Sequence, residues 1–137
     1  MYVAKSNFFR VVARILEIKP DDQKALNNFA QLSLLLDLET SRAHEIAHRV
    51  YERDPKNPLM VSTYAYSLYA KGKPKEAVQI MNTLTDQELH LPATAAYYGV
   101  FLSAAGDKAK AEEFLRLGET AHLFPEEKAL VAKALAK

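Results

Sequence analysis

The chain has 137 residues, of which 49% are hydrophobic and 26% charged, a composition that is typical of one folded domain and argues against a disordered chain. Basic residues number 18 and acidic residues 17, so the net charge of +1 does not favour a nucleic-acid partner. Cysteine is absent, which excludes disulfides and cysteine-ligated zinc. No apolar stretch is long enough to predict membrane insertion. We expect a cytoplasmic protein that needs no cofactor.

Apolar residues recur at three-and-four spacing along almost the whole chain, which predicts an all-α fold without a sheet. In chain order, we expect helices over residues 2–18, 22–38, 40–53, 57–71, 74–84, 92–105, 107–122 and 126–136. The connections between them are short, so successive helices should form antiparallel pairs. The whole chain, 1–137, should therefore be a single helical domain.

The two ends of the chain suggest flanking helices. Residues 13–20 resemble the end of a second helix in a pair, and the matching first helix would have to precede Met1. The first helix, 2–18, is therefore expected either to come from an excised fragment of a larger chain, which we favour, or to act as an N-terminal cap. At the other end, Glu126 and Glu127 follow a proline and open a helix over 126–136 that should cap the domain.

Between these ends, a set of residues recurs at a spacing of 34. The clearest pairs are Tyr64 with Tyr98, Leu68 with Leu102, Gly72 with Gly106, and Ala77 with Ala111, and a weaker copy lies at Ala30, Leu34, Leu38 and Ala43. A fixed period of this size indicates stacked supersecondary units that bury their apolar faces against one another. The two recurring glycines should take positive φ at helix ends.

This pattern resembles the tetratricopeptide-repeat family, whose unit of 34 residues is a helix–turn–helix with small residues at its eighth and twentieth positions. Counted over 24–57, 58–91 and 92–125, the eighth residues are Gln31, Ala65 and Gly99, and the twentieth are Ala43, Ala77 and Ala111. Gln31 departs from the small-residue rule. The resemblance implies a right-handed superhelical solenoid of three repeats with flanking helices.

In that family the first helices line a concave face that binds peptides. The matching positions here are Asn28, Phe29, Leu32, Leu35, Ser62, Thr63, Tyr66, Tyr69, Tyr97 and Val100. They are apolar and tyrosine-rich, and they lack the basic residues with which some family members bind a carboxylate. The resemblance therefore implies a non-catalytic protein–protein interaction scaffold for an apolar or amphipathic segment. Alternatively, helix 2–18, neighbouring repeats or a second copy covers this face, and the domain serves to pack or self-associate.

One motif points to a different class of protein. His44-Glu45-Ile46-Ala47-His48 matches the pattern with which zinc peptidases hold a metal on a helix, so a zinc-dependent hydrolase is a further alternative. In zinc peptidases this helix packs beneath a β-sheet, and the present sequence predicts no sheet. The residue after the second histidine is usually uncharged in those enzymes, but here it is Arg49. In repeat register both histidines lie on a second helix, away from the concave face. We therefore interpret them as surface or half-buried histidines and predict no metal.

Overall fold

In the computed structural model, which describes residues 2–137 and side chains from residue 7 onward, nine helices and no strand are found. The helices are α1 (Tyr2–Ile18), α2 (Gln23–Leu36), α3 (Thr40–Arg53), α4 (Pro58–Ala70), α5 (Pro74–Met81), α6 (Asp86–Leu89), α7 (Pro92–Ala104), α8 (Lys108–Gly118) and α9 (Pro125–Ala136). The predicted all-α fold is confirmed. Within these residues, no helix is both long and apolar enough to cross a membrane.

Two predicted helices are too long. The helix expected over 74–84 ends at Met81, and the one expected over 107–122 ends at Gly118. Just beyond each end, a threonine hydroxyl donates to the carbonyl oxygen three residues back, from Thr83 to Ile80 and from Thr120 to Leu117, each at 2.7 Å. Threonine side chains compete in this way with the helical backbone, which ends the helix sooner than apolar spacing indicates.

The short helix α6 was not predicted. Its start is a capping box, in which the Glu88 N–H donates to the Thr85 hydroxyl at 3.1 Å and the Thr85 N–H donates to the Glu88 carboxylate at 2.9 Å. The box satisfies two N–H groups that a helix start otherwise leaves open. Thr-x-x-Glu at 85–88 is the sequence pattern of a capping box and indicates a helix start. The prediction of one helix over 74–84 placed this pattern in a connection and so overlooked it.

The long helices pack in the pairs α2–α3, α4–α5 and α7–α8. At their crossings lie the small residues expected there, and Ala43, Ala65, Ala77 and Ala111 are all fully buried. Gly99 lies so close to α8 that a Cβ there would be 2.7 Å from Leu115 Cγ. Small side chains therefore set the spacing within each pair, because only they let two helix backbones approach so closely.

The turns inside the pairs use the predicted left-handed residues. Gly72 has a φ of 76° and Gly106 a φ of 98°, which confirms the expectation for both. The following N–H then bonds back to the helix, from Lys73 to the Leu68 carbonyl at 3.0 Å and from Asp107 to the Leu102 carbonyl at 2.9 Å. This arrangement satisfies carbonyl groups that the end of a helix leaves open.

The flanking helices lie against opposite ends of the repeats and meet at one point. Helix α1 packs on α2, where the rings of Phe9 and Phe29 are 5.3 Å apart. Helix α9 packs on α7 and α8. Phe8 of α1 and Phe124, the residue before α9, bring their rings to 6.0 Å. The segment leading into α9 thus comes back to the face formed by the first helices of the pairs, α2, α4 and α7.

Candidate functional site

An aromatic cluster joins α4 and α7 on the face formed by the first helices. The Tyr66 ring lies 5.5 Å from Tyr97 and 5.8 Å from Tyr69, and the Tyr69 ring lies 5.4 Å from Phe101. Tyr66 and Tyr97 are each only 7% exposed. Burial, followed by the charges of Tyr69 and Glu127, raises the pKa of Tyr66 to about 12. Tyr66 and Tyr97 are therefore part of the packed interior, and both also line the wall of a cavity.

The cavity has a volume of about 220 Å³ and lies between α2, α4, α7 and the segment that enters α9. Its mouth is lined by Leu59, Ala93 and His122, all of them exposed to solvent. Its inner wall is formed by buried polar and aromatic side chains, namely Asn27, Thr63, Tyr66, Tyr97 and Glu127. This is an open pocket with a hydrogen-bonding interior, placed where the family resemblance puts a binding face.

A buried carboxylate closes the inner end of this cavity. Glu127 of α9 is only 7% exposed. The Tyr97 hydroxyl donates to its Oε2, and Gln31 Nε2 donates to the same oxygen at 3.2 Å and to the Tyr97 hydroxyl at 3.0 Å. Its Oε1 accepts the Phe124 N–H at 2.8 Å, which caps α9. Three helices, α2, α7 and α9, are thereby joined by one polar network.

Burial is the main cause that raises the pKa of Tyr97 well above its ordinary value, and the neighbouring Glu127 charge adds to it. Tyr97 therefore keeps its proton at neutral pH and acts as a donor to the carboxylate. In this way the tyrosine holds the Glu127 side chain in place.

Two polar atoms in the cavity wall have no hydrogen-bond partner among the described residues. One is Oδ1 of Asn27, a side chain that is only 2% exposed, and the other is Oγ of Ser62. A buried polar atom without a partner costs about 1 to 3 kcal/mol, so it is uncommon in a folded protein. Both atoms belong to side chains that line the cavity.

The ten residues predicted for the groove divide into two sets of five. Those that line the cavity are Asn28, Ser62, Thr63, Tyr66 and Tyr97. Those that pack elsewhere are Phe29, Leu32 and Val100, which are buried in the core, and Leu35 and Tyr69, which are half-buried. Binding stays a prediction for both sets.

Three important residues of the cavity were missed. Gln31 had a signal, because it was the one bulky polar residue at a position that should be small. Asn27 stands where the family has tryptophan, and this was a weaker signal. Glu127 had been interpreted only as a favourable start for the last helix, because its buried role depends on how α9 packs and no local pattern shows it.

The two histidines of the zinc-peptidase pattern lie on α3, away from the cavity. His44 Nδ1 is 2.5 Å from Ser67 Oγ, and His48 Nδ1 is 3.6 Å from Glu52 Oε1. Burial, together with the charge of Lys71, lowers the pKa of His44. Among the described residues, no group of three or more histidine, aspartate or glutamate side chains is placed to hold a metal ion.

Comparison with known proteins identifies one family. The tetratricopeptide repeat family model matches residues 39–98, which extend from the residue before α3 to the middle of α7. No curated protein and no solved structure matches the chain.

Proposed function

We propose that this chain is a tetratricopeptide-repeat protein whose cavity between α2, α4, α7 and α9 binds a segment of another protein. Repeats of this family serve as protein–protein interaction scaffolds and are generally non-catalytic. The finer proposal concerns the place of binding. An amphipathic or apolar segment lies across the concave face, and one of its side chains enters the cavity.

The observation that carries this proposal is the cavity itself. Its wall combines aromatic surface from Tyr66 and Tyr97 with unpartnered polar atoms of Asn27 and Ser62. Binding sites are typically concave and apolar with a few well-placed polar groups, and this composition agrees with that rule. Leu59, which is 56% exposed, adds an apolar contact at the mouth.

The proposal is tested by a substitution that blocks the mouth of the cavity and leaves the buried side chains of its wall unchanged. Ala93 is exposed on α7 and lines the mouth, so Ala93→Trp should obstruct entry. Ala109→Trp is the matched control, because Ala109 is exposed on α8 and does not line the cavity. Both variants and the wild-type chain would be used as bait in source lysate, after melting curves have shown that all three are folded.

We expect the wild-type chain and Ala109→Trp to retain the same protein, and Ala93→Trp to lose it. If all three baits retain the same proteins, binding does not use this cavity and the proposal is wrong. Replacing Tyr66 and Tyr97 would be a poor test, since both are interior residues whose truncation would unfold the domain.

A second candidate, self-association, is favoured by a separate observation on α1. Four exposed apolar side chains follow one another at spacings of three and four residues, namely Phe8, Val11, Ile15 and Ile18. Such a stripe is typical of a helix that packs against another helix. Sedimentation of the wild-type chain and of a variant with Val11→Lys and Ile18→Lys tests it. Self-association predicts a concentration-dependent dimer that the variant lacks, and a wild-type monomer at all concentrations would contradict it.

A further inference from the structure

We propose that the side chain entering the cavity is an arginine of the partner segment, recognised by Glu127 and by the unpartnered atoms of Asn27 and Ser62. This inference rests on the proposed function and specifies the chemistry of the same site. The reasons are the charge of the cavity, the kind of hydrogen bond its wall lacks, and its size.

The charge of the cavity is negative. Glu127 is the only carboxylate among the described residues that line it, and no lysine or arginine lies among them. A carboxylate has about four lone-pair sites, and the hydrogen bonds from Gln31, Tyr97 and Phe124 use three of them. One site on Oε1 therefore stays available for a donor from a ligand. An anionic ligand would instead meet a like charge in a poorly solvated site.

Two acceptor atoms of the cavity wall also have no donor partner among the described residues. Asn27 Oδ1 can only accept a hydrogen bond, and Ser62 Oγ can accept one. Asn27, Ser62 and Glu127 belong to α2, α4 and α9, and all three residues line the same cavity. Arginine carries five N–H donors on a planar fork and no acceptor, so it can satisfy several acceptors at once, whereas lysine is a point charge.

The size of the cavity fits one long side chain. A volume of about 220 Å³ lies below the roughly 300 to 1,000 Å³ of typical small-molecule sites. The aromatic wall of Tyr66 and Tyr97 offers ring surface on which the methylene stem and the guanidinium can pack.

The experiment begins with a displayed library of random peptides that is selected on the wild-type chain. Selection on Ala93→Trp removes peptides that bind elsewhere. For the best peptide, the dissociation constant is then measured by fluorescence anisotropy with its arginine intact, with lysine in that place, and with citrulline, which keeps the shape but is neutral. We expect arginine at one fixed position and a loss of about 30-fold for citrulline, equivalent to about 2 kcal/mol.

The same peptides are then measured against Glu127→Gln, in which glutamine at this helix position still supports the cap of α9. Glu112→Gln is the matched control, because it removes one exposed acidic charge away from the cavity. We expect Glu127→Gln to weaken the arginine peptide about 30-fold and to make citrulline and arginine nearly equivalent, while Glu112→Gln changes neither.

The outcomes separate the two proposals. Peptides that are blocked by Ala93→Trp but show no arginine, or that bind equally well with citrulline, overturn the arginine inference and leave the proposed binding site standing. A lysine peptide that binds as well as the arginine peptide overturns the choice of arginine. If no peptide depends on the cavity mouth, the proposed function fails, and the inference fails with it.

Discussion

The helix pairs α2–α3 and α7–α8 place different residues at the same repeat position. In α7 this position is Gly99, where a Cβ would lie 2.7 Å from Leu115 Cγ and 2.8 Å from its backbone nitrogen. Gly118 makes a second such contact, since a Cβ there would lie 2.6 Å from Ala96 Cα. In α2 the position is Gln31, whose side-chain amide donates to Tyr97 and Glu127.

The difference shows what each pair contributes. Helix α7 is buried continuously from Thr94 to Ser103 and serves as the packed centre of the domain. Helix α2 has an apolar face as well, but it also directs Asn27 and Gln31 into the cavity. A departure from the rule of a repeat thus indicates where packing has been exchanged for a polar site, since natural proteins break local rules mainly at functional positions.

The largest effect is expected where the α7–α8 pair is tightest. Gly99→Ala should destabilise the domain by about 2 kcal/mol, because a Cβ this close to the Leu115 backbone places overpacking at the upper end of its range, about 3 kcal/mol, and helix propensity offsets about 1 kcal/mol of it. Chemical denaturation of the two chains measures the difference. Gly118→Ala should behave in the same way, and a variant that is more stable than wild type would show that the pair is not closely packed.

The next effect concerns Tyr66, which lies between the two pairs. Its pKa is raised from 10.0 to about 12, so the unfolded chain loses this proton first and the free energy of unfolding falls as pH rises through that window. At about pH 11 the loss is about 1.4 kcal/mol. Tyr66→Phe should remove that part of the alkaline destabilisation. The free energy of unfolding of wild type and of Tyr66→Phe is measured as a function of pH. If both fall equally between pH 10 and 12, the hydroxyl of Tyr66 is not buried.

A smaller effect is expected at Gln31. Gln31→Ala should destabilise the domain by about 1 kcal/mol, because Tyr97 and Glu127 keep each other but lose the amide donor. Gln31→Ala and Gly99→Ala place the same small residue at the same repeat position, so their changes in stability can be compared directly. A gain in stability for Gln31→Ala would show that a small residue packs better than glutamine between α2 and α3. The two pairs would then not differ in the way described.

The smallest effect is expected at Asp37, in the turn between α2 and α3. Asp37 takes a φ of 57° in the α2–α3 turn, where the α7–α8 turn has Gly106 at 98°. Asp37→Gly should stabilise the domain by about 0.5 kcal/mol, and Gly106→Ala should destabilise it by about 1 kcal/mol. A Cβ at Gly106 would have no atom within 4 Å. The loss of stability in Gly106→Ala would therefore come from the left-handed backbone conformation alone. Equal changes of the same sign would contradict this explanation.

The repeat could be predicted because it depends on local rules. The spacing of 34 residues, the small residues at the helix crossings and the left-handed glycines each reflect a constraint within one helix pair, and these constraints are visible in the sequence. The ends of α5 and α8 could not be predicted so well, since apolar spacing continues past the points where Thr83 and Thr120 bond back to the helix.

The candidate site was predictable only in part. Tyr66 and Tyr97 were found because repeat register places them on the first helices, but their burial depends on α9, which returns to that face from a distant part of the sequence. The bond between Gln31 and Glu127 joins residues 96 positions apart. Such a contact depends on how helices pack, so the sequence showed only that Gln31 was unusual.

The most direct test of the account replaces Asn27 with leucine and measures both stability and binding of the selected arginine peptide. Asn27→Leu removes a buried unpartnered oxygen and improves helix propensity, so we predict a gain of about 1 kcal/mol in the free energy of unfolding. The same variant should bind the peptide at least tenfold more weakly. A variant that is less stable than wild type but binds the peptide equally well would contradict the account, because Asn27 would then be a structural residue.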